Sequence, residues 1–205
     1  MNPLLDFTGL PRFVDIKPEH ISPAVETLLQ QCRSIADQAR TCATATWDSF
    51  IQPLVDANER LSRAWGQVSH LNAVMNSQEL REVYNANLPK VTQYFAELSQ
   101  DQALFEKFKQ LRNSLEFNNL SNARKKIVDN QLRDFRLGGA ELTTDHKKRF
   151  LSIQEELSAI SAKFSDNLLD ATNDFYLLIT QQDELSGIPE DALLAAREAA
   201  EKAPD

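Results

Sequence analysis

The sequence predicts a mostly all-α fold. We expect a multi-helix bundle of long, partly kinked helices, with one short β-strand near residues 175–180 left without its partner. Three observations carry that expectation. Only five glycines occur in 205 residues, few for a chain built from many turns and strands. Apolar side chains recur at three- and four-residue steps along most of the chain, the period of helices that bury one face. Ser, Thr or Asp stands before most of these runs, and such residues cap helix starts.

Residues 1–16 read as an extended arm, because Pro3, Gly9 and Pro11 break regular structure. The first helix is expected to begin at Pro18 or Pro23, since proline is tolerated in a helix's first turn. Ile21, Val25, Leu28, Cys32, Ile35 and Ala39 form its narrow seam. Residues 41–46 make the loop, and Thr46 caps a second helix with its stripe through Leu54, Leu61, Trp65, Val68, Leu71 and Met75. Pro53 is expected to bend it. Ser77 caps a third helix carrying Leu80, Tyr84, Leu88, Val91, Phe95 and Leu98, with a kink expected at Pro89. Asp101 opens a fourth with Leu104, Phe108, Leu111 and Leu115, and residues 116–120 are expected to be a loop. Ser121 caps a fifth helix whose apolar side is Ile127, Val128, Leu132 and Phe135, and Gly138-Gly139 ends it. Thr143 or Thr144 caps the longest helix, with Phe150, Ile153, Leu157, Ile160, Phe164, Leu168 and Ala171 on one side.

The pattern then changes. Asn173-Asp174 interrupts the helical period, and residues 175–180 (Phe-Tyr-Leu-Leu-Ile-Thr) have the β-branched and aromatic content of a strand. A turn at 183–187 and a final alanine-rich helix from Pro189 to about Lys202 follow. A lone strand exposes unpaired backbone groups. We therefore expect its partner to lie beyond Asp205, or to be the same strand of another copy in a dimer. On this reading residues 1–172 are a helical domain, and 173–205 begin a segment leading elsewhere.

Apolar residues make up 42% and charged residues 25%, which is an ordinary globular balance. The formal net charge of −8 opposes binding to nucleic acid or to an anionic membrane surface. Basic clusters at Arg124-Lys125-Lys126 and Lys147-Lys148-Arg149 are read as solvated faces, with no interleaved aromatics for base stacking. No targeting segment and no run of membrane-spanning length is visible, so a cytoplasmic location is expected. Cys32 and Cys42 do not make a disulfide framework, and Cys32 falls on a core stripe.

Several stretches together carry a resemblance. They are residues 13–24 (Phe-Val-Asp-Ile-Lys-Pro-Glu-His-Ile-Ser-Pro-Ala), 68–74 (Val-Ser-His-Leu-Asn-Ala-Val) and 79–82 (Glu-Leu-Arg-Glu), followed by 124–142 and 167–172 (Asn-Leu-Leu-Asp-Ala-Thr). In this order they resemble the N-terminal region of the thimet oligopeptidase-like zinc metallopeptidase family. The resemblance implies a parent enzyme that hydrolyses short peptides with a zinc held by His-Glu-x-x-His and a downstream glutamate. It implies that this region is a non-catalytic wall of the substrate channel, admitting oligopeptides and excluding folded proteins. It also implies zinc in the full-length parent and no cofactor in this chain.

The residues themselves supply none of that chemistry. The only histidines are His20, His70 and His146, and Lys17, Gln67 and Thr143 stand where a Glu-x-x-His would need glutamate. That also removes the signature of a carboxylate-bridged di-iron bundle. His20 is read as a cap or a solvent-facing residue, His70 as a packing residue and His146 as exposed. Cys32 and His20 are three helical turns apart, and adjacent Ser69 and His70 point in different directions on a helix. Trp47, Trp65 and the eleven phenylalanines stand at core spacing. Glu155-Glu156 and Asp166/Asp170 read as solvated faces. No residue is assigned a catalytic, cofactor-binding or metal-ligating role. The competing expectation is an independent helical interaction module without peptidase activity.

Overall fold

A computed structural model of the chain describes residues 2–202, and every regular element among them is helical. The elements are α1 (Pro18–Thr41), α2 (Gln52–Val74), α3 (Gln78–Ser99), α4 (Gln102–Arg112), α5 (Leu115–Asn119), α6 (Asn122–Leu137), α7 (Thr144–Asp174) and α8 (Glu190–Lys202). The chain divides into two compact units, Met1–Lys163 and Phe164–Asp205.

Several helix starts in the first unit are built from a local hydrogen bond near the residue that the sequence marks. Pro18 takes the first position of α1, and the Lys17 N–H donates to His20 Nδ1 at 3.1 Å. Thr46 Oγ1 accepts from the Ser49 N–H at 3.0 Å, and Ser77 Oγ accepts from the Leu80 N–H at 3.2 Å. Ser121 Oγ accepts from the Arg124 N–H at 3.3 Å. Asp101 does two things: Oδ1 accepts from the Leu104 N–H at 2.9 Å, and Oδ2 accepts from Arg40 Nε at 2.5 Å. One carboxylate therefore caps α4 and fastens it to the end of α1.

Proline acts locally as well. Residues Trp47–Ile51 form a π-helical turn leading into α2, with the Ile51 N–H reaching the Thr46 carbonyl at 3.3 Å. Pro53 has no N–H to give to the Ser49 carbonyl, so the wider turn costs no hydrogen bond there. Pro89 lies inside α3, which runs on without interruption.

The first unit holds two apolar clusters. One joins α1 to α2 and α3 through Ile21, Val25, Leu28, Leu61, Val68 and Val91. Trp65 stacks on Tyr84 beside it, with ring centroids 4.9 Å apart. The other joins the end of α1 and the π turn to α4 and α6 through Phe50, Phe105, Phe108, Leu111, Val128 and Phe135. Phe50 and Phe108 meet edge to face at 4.8 Å, and Phe108 and Phe135 lie 5.3 Å apart. Asn87 is wholly buried on the α3 stripe. Its amide donates to Ser22 Oγ and to the Val83 carbonyl, both at 2.8 Å, while Oδ1 has no partner among the described residues.

Four expectations need correction. The arm is not simply extended. Pro3–Leu5 and Phe13–Asp15 are 3₁₀ turns, Leu4 is buried, and Asn2 Nδ2 donates to the His20 carbonyl at 2.7 Å. The loop expected at 116–120 is mostly helix α5, capped by Ser114 and packed by Phe117, whereas Leu115 points to solvent. Ile127 is exposed while its neighbour Val128 is buried.

The fourth correction is the largest. Residues 175–180 form no strand. Their composition favours extended backbone, but a ladder needs a partner, and none is present among the described residues. A dimer through that strand therefore loses its basis.

Gly138 and Gly139 close α6. Gly139 has φ +93°, and the Ala140 N–H returns to the Phe135 carbonyl at 2.9 Å. A Cβ on Gly138 would sit 2.6 Å from Ser99 Cβ, so glycine also lets α6 end against α3. Gly139→Ala is expected to destabilise by about 1–2 kcal/mol from the left-handed backbone alone. Gly66→Ala, in open space on α2, is expected to stabilise by roughly 0.5–1 kcal/mol. Urea midpoints of the two variants check the opposite signs.

Candidate functional site

The residues able to do chemistry are held apart. His20 spends its Nδ1 on the cap of α1. His70 is exposed on α2, with its ring against Phe13 at 5.4 Å between centroids. His146 is exposed in the first turn of α7. Among the described residues, no three His, Cys, Asp or Glu side chains come together as a metal ion would require.

Cys32 is buried between α1 and α2, and its thiol donates to the Ala57 carbonyl at 3.3 Å. Burial raises its pKa, so the thiolate needed for nucleophilic work is disfavoured. Burial, followed by the nearby Cys32, also raises the pKa of Tyr94, whose hydroxyl donates to Asn58 Oδ1 at 2.8 Å. These groups form a buried polar link between helices. They have no exposed reacting face.

The basic clusters are partly structural. The Arg124 guanidinium lies 4.6 Å from the Trp47 ring, and Lys125 Nζ donates to the Asn118 carbonyl at 2.8 Å. Lys147 Nζ donates to the Gln100 carbonyl at 3.0 Å. Lys126, Lys148 and Arg149 remain exposed. No helix among the described residues is long and apolar enough to cross a membrane.

One concavity in the first unit was not visible in the sequence. It has a volume of about 250 Å³ and lies between α2 and α6, floored by Leu104 and Phe108 of α4. Its lining includes Ile127 and carries Asn58, Glu59 and Gln131 as polar groups. Ile127 and Val128 are about 100° apart on α6, and here only Val128 enters the core.

An all-α bundle of long helices is thus the class this fold defines. The comparisons sharpen it. Residues 25–147 match the family described as neurolysin/thimet oligopeptidase, N-terminal domain. The chain belongs to that family.

Oligopeptidase A of Haemophilus influenzae is 47% identical over 200 residues, which is 98% of this chain and 29% of that protein. Oligopeptidase A of Escherichia coli is 41% identical over 201 residues, 98% of this chain and 30% of its own length. A probable cytosolic oligopeptidase A of Arabidopsis thaliana is 36% identical over 192 residues, covering 94% of this chain and 27% of the relative. The chain therefore spans less than a third of the length of each of these relatives.

The two thiols give a direct check on this site. In a timed reaction with a disulfide reagent, the half-buried Cys42 is expected to react first. Cys32 is expected to react only as fast as the chain unfolds. Fast labelling of Cys32 in native buffer would contradict its burial.

Proposed function

We propose that this chain is the N-terminal, non-catalytic part of a zinc-dependent metalloendopeptidase that hydrolyses short peptides. Its role in that enzyme is steric. The helices form one wall of the substrate channel and restrict access to oligopeptides. The observation that carries this reading is the family match through the N-terminal domain, extended by relatives named oligopeptidase A over 94–98% of the chain.

Two features support it. Reactive groups are dispersed or buried, which suits a wall. Helix starts held by local caps also suit a fixed wall. The zinc would be bound, and the peptide bond cleaved, by residues outside this chain. The relative described as cytosolic supports a cytoplasmic location.

The test is a cleavage assay with internally quenched peptides of graded length. The 205-residue chain alone is expected to show no chelator-sensitive turnover. The longer polypeptide encoded by the same gene is expected to cleave the short peptides and spare a folded protein. Chelator-sensitive cleavage by the 205-residue chain alone would sink the proposal.

A further inference from the structure

The concavity between α2 and α6 has the make-up of a small-ligand pocket. Its floor is apolar, formed by Leu54 of α2, Leu98 of α3, Leu104 and Phe108 of α4 and Phe135 of α6. All of these but Leu98 are fully part of the core, so the space stands over finished packing. Ile51, the last residue of the π-helical turn, also lines it, and such turns recur at functional sites. The polar groups stand on the two walls, Asn58, Glu59 and Ser62 on α2 and Gln131 on α6. Its volume is about 250 Å³. An apolar cavity of about 150 Å³ takes up benzene, so there is room here for one ring and a short chain.

We infer that this pocket binds a small apolar primary amine, with the hydrocarbon body on the floor and the ammonium at Glu59.

Charge selects the amine. Glu59 is the single charged residue of the lining, and among the described residues it has no hydrogen-bond or ion-pair partner. The bases nearest to it along α2 are turned to the N-terminal arm. The Arg60 guanidinium lies 5.5 Å from the Phe7 ring, and Arg63 donates to the Phe7 and Gly9 carbonyls at 3.4 and 2.6 Å. On α6, Arg124 covers Trp47, and Arg133 donates to Asn130 and Asp134. A carboxylate left over beside an apolar floor attracts an ammonium and repels an acid.

The remaining polar groups fit the same ligand. Asn58 Oδ1 accepts from the Tyr94 hydroxyl at 2.8 Å, which orients the amide and leaves its Nδ2 to donate. Ser62 and Gln131 have no hydrogen-bond partner among the described residues. A polar atom next to the ammonium therefore finds donors on both walls. The floor offers water nothing to bond, so a hydrocarbon group that displaces water from it gains affinity. A metal ion would need more than the one carboxylate present.

The ammonium can belong to a free amine or to the first residue of an apolar peptide, and the probes separate the two. Ligand-observed NMR titrations use 2-phenylethylamine, 2-phenylethanol, phenylacetate and a tripeptide with an N-terminal phenylalanine. They are run in neutral buffer on the polypeptide encoded by the gene and on the 205-residue chain. Because Glu59 stands at the rim, the amine is expected to bind about threefold or more tighter than the alcohol. The acid is expected not to bind. Glu59→Gln is expected to bring the amine down to the level of the alcohol and leave the alcohol unchanged. Ile127→Ala, at a pocket-wall position that is 44% exposed, is expected to weaken amine and alcohol alike.

Tighter binding of the tripeptide than of the amine would assign the site to peptide amino termini, and weaker or equal binding to free amines. Either result keeps the ammonium at Glu59. Equal binding of amine and acid, or amine binding that Glu59→Gln leaves unchanged, would overturn the inference. So would binding confined to the 205-residue chain, because a segment of the longer polypeptide would then fill the pocket.

Discussion

Everything in the first unit depends on one long buried seam along α1. From Ile21 to Cys32 it supplies the cluster shared with α2 and α3, and from Ala36 to Ala39 it reaches the cluster shared with α4 and α6. Ala24, Cys32, Ala36 and Ala39 are small, which lets neighbouring backbones approach closely. A helix of this kind has little stability alone, and most of it comes from the apolar face it buries. Each large apolar side chain sealed there contributes on the order of 1.5–3 kcal/mol. Because α1 belongs to both clusters, neither can lose it without loosening the other.

Polar groups then fix where each helix begins and which neighbour it meets. The Asp101 carboxylate serves α4 through Leu104 and α1 through Arg40. Trp47 is held similarly from two sides. Its backbone N–H donates to Glu116 at 2.7 Å, and Arg124 covers its ring. These contacts join segments tens of residues apart at the ends of helices, where backbone groups are left open. In the interior, Asn87 is a fully buried amide that ties α3 to Ser22 of α1. An imperfectly satisfied group of this kind favours one register of two helices over its neighbours.

What could be read from the sequence was local. Thr46, Ser77, Asp101 and Ser121 cap the helices expected of them, because an N-cap needs only three residues of context. Helix α5 escaped because five residues are too few for a periodic signal. Residues 175–180 misled for a different reason. Their side chains report a preference for extended backbone, whereas a strand exists only when a second one completes its hydrogen bonds. The period of α7 correctly marked an apolar side, but periodicity cannot say whether anything covers it. As for the site, three scattered histidines already excluded a spaced zinc motif. The concavity between α2 and α6 depends on how two distant helices pack, and no short window holds that information.

The exposed segment 175–180 has a consequence for the life of the chain in a cell. Six residues without charge, proline or glycine, rich in aromatic and branched side chains, are the raw material of cross-β stacking. Here they lie outside helix and sheet, with their side chains largely in water. Copies meeting at high concentration could zip together through this stretch while every helix stayed intact. Chaperones and proteases that survey nascent chains recognise the same pattern. For this polypeptide, the vulnerable interval of biogenesis begins with the synthesis of Phe175.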